Sequence, residues 1–366
     1  MKTTKLYTIL FILLTFFGCD KKDSESSWSS FRGNIQNTGY YSGNAPEKLS
    51  ELKWKFKTEE RILSSPTVAE GIVFFGSNDK YLYSVDVKTG REKWRFRTED
   101  HITSSPAISN KMVFFGSYDN YLYAVDVKTG QEKWKFKTNG LVRSSPAIAD
   151  GVVFFGSNDN YLYAVDLKSG QEKWKFKTEG IIPSSPAVNE GIVFFGSGDN
   201  YLYAVDIKTS REKWKFKTEG LIRSSPAVAY GIVFFGSNDN FLYAVSEKTG
   251  QEKWKFKTDG IVPSSSAVTD GMVFFGSWDN YLYALDVETG KEIWKFKTEG
   301  LVESSPAFAD GMVFFGSDDK NLYSVDVKTG LEKWKFKTEG PVLSSPAVSN
   351  GIIFFTSWDN YLYIVE

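Results

Sequence analysis

The chain has 366 residues, and its 44 Lys and Arg against 45 Asp and Glu give a formal net charge of −1 at pH 7. This balance excludes the basic footprint of a nucleic-acid-binding protein. One histidine and one cysteine exclude a multi-histidine metal site, a thiolate cluster and an intramolecular disulfide.

Residues 1–18 have the pattern of a secretory signal peptide. Lys2 and Lys5 give a positive start, and residues 6–17 are too short an apolar stretch to span a bilayer permanently. With the only cysteine at position 19, the arrangement resembles a bacterial lipoprotein signal, which implies lipidation of Cys19. Phe16 stands where that signal usually has leucine. The alternative is an ordinary signal peptide with an incidental cysteine.

Two short segments follow the signal. Residues 19–27 are polar and charged, which is typical of a flexible tether. Residues 28–50 lead into the repeats, and we expect them to pack on the domain that the repeats form.

From residue 52 onward, a 40-residue unit recurs without an insertion. A fixed period of this length indicates a solenoid, propeller or array, whose units bury their apolar faces against their neighbours. The tryptophan of the unit stands at Trp54, Trp94, Trp134, Trp174, Trp214, Trp254, Trp294 and Trp334.

Within one unit, turn signals separate four short runs at residues 144–149, 152–156, 161–166 and 173–178. β-branched and aromatic residues dominate the runs, and none has a helical period. Asp150-Gly151 favours the positive φ angles of a tight hairpin. Four antiparallel strands in each repeat describe the blade of a β-propeller.

We expect one face of the fourth run to be exposed to solvent. Trp174 and Phe176 alternate with Lys173, Lys175 and Lys177, as on an outermost strand. Lysines there discourage pairing with another molecule. We favour this interpretation of the lysine rim over phosphate binding or lipid binding.

The order of the runs predicts how the ring closes. Each run occurs eight times, but the first tryptophan run, residues 52–58, precedes every other element. The N-terminal strand must therefore complete the C-terminal blade. The sequence predicts an all-β fold over residues 51–366, a monomeric eight-bladed propeller of four-stranded antiparallel blades.

Residues 124–134, AVDVKTGQEKW, resemble the tryptophan-docking motif Ala-x-Asp-x-x-Thr-Gly-x-x-x-Trp of PQQ-like (quinoprotein-type) propellers. Residues 28–50 likewise resemble the lead-in segment of that family. The resemblance implies that the eight tryptophans dock structurally against neighbouring blades. The departures from the motif are Ser84 and Ser324 for alanine, Ser246 for aspartate, Ser169 for threonine and Ser210 for glycine.

The resemblance also raises the possibility of a PQQ-dependent dehydrogenase. Many such enzymes carry adjacent cysteines and a calcium ligand set that interrupts the repeats, and this chain has neither a Cys-Cys pair nor an insertion. Catalysis needs a unique cluster of groups, which near-identical blades do not supply. We therefore predict no enzyme activity, no cofactor, and no catalytic, cofactor-binding or metal-binding residue.

Two further groups of polar residues are interpreted as structural. His101, in a link between blades, is expected to be exposed and not a general base. The second hairpin of every blade carries one aspartate, which is expected to bond its own turn because a calcium loop needs a denser oxygen set. These residues are Asp79, Asp119, Asp159, Asp199, Asp239, Asp279, Asp319 and Asp359.

The blades differ most on one face, where the alternation of strands places the links and the second hairpins. Large aromatic residues and arginines are enriched at protein interfaces. Tyr118, Arg143, Arg223, Trp278 and Trp358 are therefore the candidate partner-binding residues. Neutral drift at loop tips is an equally supported alternative.

These observations predict a non-catalytic, lipid-anchored scaffold that binds protein partners in the bacterial cell envelope. It resembles the BamB-like lipoprotein scaffolds of the outer-membrane barrel-assembly machinery, which implies a role in outer-membrane protein assembly. We favour the outer membrane, although Asp20 would favour inner-membrane retention in some bacteria. The alternatives are a PQQ-dependent dehydrogenase and a small-ligand-binding envelope protein.

Overall fold

The computed structural model describes residues 31–49 and 51–366. Within them, 32 strands form eight four-stranded antiparallel sheets, and the one helical element is a 3-10 turn at Phe31–Gly33. The all-β, eight-bladed prediction is confirmed. Cys19 and the segments 1–18 and 19–27 lie outside the described residues.

Every blade has an inner, a second, a third and an outer strand. The inner strands are β2 (Thr67–Ala69), β6 (Ala107–Ser109), β10 (Ala147–Ala149), β14 (Ala187–Asn189), β18 (Ala227–Ala229), β22 (Ala267–Thr269), β26 (Ala307–Ala309) and β30 (Ala347–Ser349). The second strands are β3 (Ile72–Gly76), β7 (Met112–Gly116), β11 (Val152–Gly156), β15 (Ile192–Gly196), β19 (Ile232–Gly236), β23 (Met272–Gly276), β27 (Met312–Gly316) and β31 (Ile352–Ser357). The third strands are β4 (Tyr81–Asp86), β8 (Tyr121–Asp126), β12 (Tyr161–Asp166), β16 (Tyr201–Asp206), β20 (Phe241–Ser246), β24 (Tyr281–Asp286), β28 (Asn321–Asp326) and β32 (Tyr361–Val365). The outer strands are β1 (Leu52–Lys57), β5 (Glu92–Arg97), β9 (Glu132–Lys137), β13 (Glu172–Lys177), β17 (Glu212–Lys217), β21 (Glu252–Lys257), β25 (Glu292–Lys297) and β29 (Glu332–Lys337).

The ring closes as the order of the runs predicts. Strand β1 pairs with β32, with Lys55 opposite Tyr363 and Lys57 opposite Tyr361. Blade one begins with β2, and blade eight consists of β30, β31, β32 and β1. Blade eight therefore joins the two ends of the propeller domain, and no sheet edge is left open between them.

A chain of serine contacts runs along the inner strands. The backbone N–H of Ser65 donates to Oγ of Ser105 in the next blade at 3.0 Å. The same contact recurs between most neighbouring blades, and Ser345 N–H donates to Ser65 Oγ at 2.9 Å. Blades eight and one are thus joined in the same way as most of the others.

The strands carry the burial that their sequences predict. Second strands are buried along nearly their whole length, and the paired phenylalanines, such as Phe154 and Phe155, are fully buried. Outer strands alternate, with the lysines of β13 exposed and Trp174 and Phe176 half-buried. The first hairpin has φ angles of 50° at Asp150 and 72° at Gly151. These angles fit the type I′ turn that matches the twist of a hairpin.

Seven of the eight repeat tryptophans dock on the next blade. The indole N–H donates to the backbone carbonyl 33 residues later, and at six of these seams the ring packs on the glycine that ends the turn. A Cβ on Gly130 would lie 2.7 Å from the ring of Trp94, so glycine favours this approach. Ser210 takes this position at one seam. Seven pairs form at 2.9–3.2 Å: Trp54–Val87, Trp94–Val127, Trp134–Leu167, Trp174–Ile207, Trp214–Glu247, Trp254–Val287 and Trp294–Val327.

The eighth tryptophan has a different acceptor. Trp334 donates its indole N–H to the carbonyl of Pro46 at 3.1 Å. Ala45 is buried in the same apolar cluster as Trp334. The lead-in segment therefore supplies the docking surface for the last seam.

The lead-in also lies against the inner strands, along the central channel. Its carbonyls accept backbone N–H groups from the inner strands of blades four to seven at 2.8–3.0 Å. The pairs are Ile35–Val188, Gln36–Val228, Thr38–Val268 and Gly39–Phe308. These bonds use donors that an inner edge strand would otherwise leave unpaired.

Arg32 fixes the lead-in at the start of this path. Its side chain is buried and donates to the carbonyl oxygens of Asn37, Ser265, Ser266 and Pro306 at 2.5–3.3 Å. Burial lowers the pKa of Arg32 from 12.5 to about 10, so the guanidinium stays charged at neutral pH.

The departure at Ser210 gives a direct test of the docking turn. Ser210 has a φ of 55°, in the left-handed region that disfavours residues with a Cβ. We expect Ser210→Gly to raise the free energy of unfolding by about 0.5–1 kcal/mol. The reciprocal change Gly250→Ser should lower it, because a Cβ there would lie 2.6 Å from the ring of Trp214. Chemical denaturation measures the change in the free energy of unfolding for each variant. Changes of the same sign in the two variants would contradict the docking account.

Candidate partner-binding face

Links and second hairpins share one face of the ring, which we call the link face. The backbone N–H of Tyr118 donates to the carbonyl of His101 at 2.9 Å, and that of Trp278 donates to Ile261 at 3.0 Å. The same bond recurs in every blade, for example from Asn78 to Arg61 at 3.0 Å. The hairpin tips are therefore held rigidly on the links.

The second-hairpin aspartates are occupied by their own turns. Asp79 accepts the backbone N–H of Tyr81 at 3.1 Å, the hydroxyl of Tyr83 at 2.8 Å and the backbone N–H of Glu59 at 3.1 Å. Burial and the bond to Asp79 raise the pKa of Tyr83 well above its ordinary value. These carboxylates organise the turn and tie it to the link.

Tyr118 and Arg143 form a pair between blade two and the link to blade three. The guanidinium carbon of Arg143 lies 4.8 Å from the centre of the Tyr118 ring, a cation–π distance. The centre of the His101 ring lies 5.9 Å from the centre of the same Tyr118 ring, in an edge-to-face arrangement. Its Nδ1 lies 2.6 Å from the carbonyl oxygen of Asn78, and its side chain is 39% exposed. His101 is therefore partly exposed, and the contact with Asn78 and the Tyr118 ring cover the rest of it.

Trp278 belongs to a second group, on blades five to seven. Burial raises the pKa of Glu303 above its ordinary value of 4.5, and the carboxylate of Asp318 adds to the rise. A hydrogen bond from Trp278 and the charge of Arg223 act in the opposite direction. Burial also raises the pKa of Asp318, whose Oδ1 is buried without a hydrogen-bond partner among the described residues. Trp278 itself is 37% exposed.

Trp358 makes a third contact, where blade eight meets blade one. The guanidinium carbon of Arg61 lies 4.8 Å from the centre of the Trp358 ring. The indole Nε1 is buried and has no hydrogen-bond partner in the described part of the chain. The ring is therefore held by stacking and not by its polar atom.

The five candidate residues thus occupy three places around the face instead of one cluster. Each place combines an aromatic ring with a charged side chain. Arg61 is not among the residues predicted from the sequence, which include Arg143 and Arg223 from the link position two residues later in the repeat. The missed signal is that Arg61 and His101 are the only polar residues at a position that is otherwise aliphatic or proline.

The link face is acidic, although the chain as a whole is nearly neutral. Its carboxylates are Glu59, Glu60, Asp79, Glu99, Asp100, Asp119, Asp159, Glu179, Asp199, Glu219, Asp239, Asp259, Asp279, Glu299, Glu303, Asp318, Asp319, Glu339 and Asp359. Its lysines and arginines are Arg61, Lys80, Arg143, Arg223 and Lys320. A field of one sign attracts oppositely charged partners and speeds their encounter.

Residues 31–49 and 51–366 contain no group of three or more His, Cys, Asp or Glu side chains that could hold a metal ion. Across the same ranges, no helix has the length and apolar character needed to cross a membrane.

The sequence matches a family model described as outer membrane protein assembly factor BamB. The matched residues are 48–103, 94–182, 159–277 and 257–365, so the model spans nearly the whole propeller. The chain belongs to this family. No curated protein matches the chain significantly.

Solved structures show the same fold at low sequence identity. BamB from Moraxella catarrhalis is 17% identical, with a TM-score of 0.76 over 86% of this chain and 99% of that one. A europium-containing methanol dehydrogenase is 14% identical, with a TM-score of 0.81 over 93% and 98%. The quinohemoprotein alcohol dehydrogenase from Comamonas testosteroni is 14% identical, with a TM-score of 0.82 over 93% and 80%. At these identities the likeness shows the fold alone.

The half-buried carboxyl of Glu303 in this BamB-family chain gives a pH prediction. Because the pKa of Glu303 is raised on folding, the unfolded chain loses this proton at lower pH than the folded chain. The group therefore destabilises the fold as pH rises from about 4 towards neutrality. We expect Glu303→Gln to be more stable relative to wild type at pH 7 than at pH 4. Denaturation midpoints of the variant and the wild type at both pH values check this. The same difference between the two proteins at both pH values would refute a raised pKa of Glu303.

Proposed function

We propose that this chain is a non-catalytic scaffold of the bacterial cell envelope, anchored through a lipid on Cys19. Its link face holds a protein partner, and its role is in outer-membrane protein assembly at the outer membrane. Family membership supports the proposal, as does the fold likeness to BamB from Moraxella catarrhalis.

One observation carries the proposal. Bulky aromatic rings lie beside charged side chains on hairpin tips whose backbones are fixed by hydrogen bonds, as at Tyr118 with Arg143 and at Trp358 with Arg61. Aromatic and arginine side chains supply most hot spots of protein interfaces. Tips that are already ordered lose little entropy when a partner binds. The face is therefore suited to a protein surface.

The channel interior favours a scaffold over a cofactor enzyme. Residues 35–39 bond the inner strands of four consecutive blades, and the Arg32 guanidinium is used entirely by protein carbonyls. The lead-in thus occupies space along the channel that a cofactor would need.

Specific observations keep two alternatives in view. The fold likeness to a methanol dehydrogenase and an alcohol dehydrogenase supports a quinoprotein enzyme. A cavity of about 310 Å³ lies between the lead-in and the inner strands of blades eight and one, lined in part by Tyr40, Tyr41, Pro66 and Val348. It supports a small-ligand-binding protein.

The partner-binding face is tested by capture from native envelopes. We expect the double variant Trp278→Ala and Trp358→Ala to fold normally and to lose at least tenfold in the amount of crosslinked partner. Each lost anchor is worth about 2 kcal/mol at an interface hot spot. Mass spectrometry identifies the partner, and a component that assembles outer-membrane proteins would support the assembly role.

A matched control lies away from the link face. Ile293 and Leu331 are 47% and 68% exposed, so Ile293→Ala with Leu331→Ala removes comparable exposed apolar surface. This control should capture the partner as wild type does. Equal capture by both double variants would refute the assignment of the face. Stoichiometric binding of pyrroloquinoline quinone and calcium, with dye-linked alcohol oxidation, would establish the enzyme instead.

A further inference from the structure

Because successive strands are antiparallel, the first and third hairpins of the blades lie on the face opposite the link face. In blades one to seven, the backbone N–H that follows the third strand donates to the first hairpin, as from Val287 to the carbonyl of Gly271 at 2.9 Å. A cavity of about 450 Å³ opens on this face between blades five and six. Its lining includes Tyr230, Lys253, Gly271, Asp286, Val287 and Glu288.

The lysine of this cavity lacks the carboxylate that its equivalents use. In most other blades, the second residue of the outer strand pairs with the acid that ends the third strand. Lys213 Nζ, for example, lies 3.1 Å from a carboxylate oxygen of Asp206. Blade five has Ser246 in place of that aspartate. Lys253 is exposed, and within residues 31–49 and 51–366 it has no ion-pair partner.

The aspartate of this cavity lacks the matching lysine. That lysine would stand at position 293, where blade six has Ile293. Oδ1 of Asp286 accepts the N–H groups of Glu288 and Thr289 and the Thr289 hydroxyl at 2.7–3.2 Å. Its Oδ2 has no hydrogen-bond or ion-pair partner among the described residues. The Thr289 hydroxyl, the backbone N–H groups and the charge of Lys291 lower the pKa of Asp286, so the carboxylate is charged at neutral pH.

Two further residues of the cavity are exceptions within the repeat. Tyr230 is the only aromatic residue at a hairpin position that otherwise holds Asp, Asn or Glu. Its φ of 54° is one that a bulky side chain rarely adopts, and its side chain is 61% exposed. Such strained residues cluster at binding sites. Glu288 is the only acid at a turn position that otherwise holds lysine, as at Lys88, Lys128, Lys168, Lys208, Lys248 and Lys328.

We propose that this cavity binds a small zwitterion with a cationic nitrogen and a carboxylate, the chemistry of a free amino acid or a short peptide. The ligand carboxylate takes the place of the missing aspartate at Lys253, and its cation takes the place of the missing lysine at Asp286. Glu288 adds a second negative charge, and the ring of Tyr230 offers a face to the cation. The volume lies within the range of about 300–1,000 Å³ that is typical of small-molecule sites.

The mixed charge of the cavity favours a zwitterion over a simple ion. A phosphate would meet the carboxylates of Asp286 and Glu288, and a metal ion would meet the ammonium of Lys253. A ligand that carries both signs satisfies both unpaired groups, and charge-assisted hydrogen bonds at its two ends fix its orientation. The proposal stands whether or not the link face holds a protein partner.

Calorimetric titration of the purified full chain tests the proposal with L-arginine and with agmatine, which is arginine without its carboxylate. Two charge-assisted contacts correspond to a Kd of about 1 mM or tighter for arginine. Agmatine should bind about tenfold more weakly, because it leaves Lys253 unpaired. The tripeptide Gly-Gly-Arg distinguishes the two sources of the ligand. Tighter binding of the tripeptide than of arginine would assign the site to peptides, and weaker binding would assign it to free amino acids.

Variants that restore the repeat locate the site. Ser246→Asp returns a partner to Lys253, and Ile293→Lys returns one to Asp286, so each should weaken arginine binding about tenfold while the fold is kept. As a matched control, Asp206→Ser makes the reverse change in blade four and should leave arginine binding unchanged. Circular dichroism checks that all three variants fold.

Three results would overturn the proposal. The first is the absence of arginine binding at concentrations up to about 10 mM, where a 1 mM site would be nearly saturated. The second is equal binding of arginine and agmatine, since the carboxylate would then have no partner. The third is undiminished binding in both restored variants, or a loss in the Asp206→Ser control, because either would place the binding elsewhere.

Discussion

The whole architecture depends on the docking of one indole on the next blade. The ring of Trp94 packs on Gly130 while its N–H donates to the carbonyl of Val127, and the contact repeats around the ring. Six seams have glycine in the left-handed region at this turn, because a Cβ there would approach the ring closely, and the seam of Trp174 has Ser210 instead. The same indole hydrogen bond at seven seams, with Pro46 as the acceptor at the eighth, thereby holds the blades together.

The lead-in segment completes this arrangement and constrains function. Pro46 supplies the acceptor for Trp334, and residues 35–39 bond the inner strands of four blades. One segment thus closes the last seam and occupies part of the channel.

The repeat predicted the fold because its signals are local and occur eight times: the strand runs, the hairpin glycines and the early position of β1. The site was less predictable. Residues 143 and 118 meet because one link crosses the preceding hairpin, a contact that no local pattern encodes. The same holds for Arg61 on Trp358. Nothing in the lead-in sequence indicates that its carbonyls pair with inner strands or that Pro46 receives Trp334, since these contacts join positions hundreds of residues apart.

Hydrogen exchange of the tryptophan indoles tests the central claim most directly. In protein with ¹⁵N-labelled tryptophan, the account predicts eight slowly exchanging indole N–H signals, each removed by one Trp→Phe substitution in the repeat. The signal of Trp334 should be as slow as that of Trp294, because Pro46 takes the place of the next blade's carbonyl. Rapid exchange at Trp334, with the other seams protected, would contradict a ring closed by its own lead-in segment.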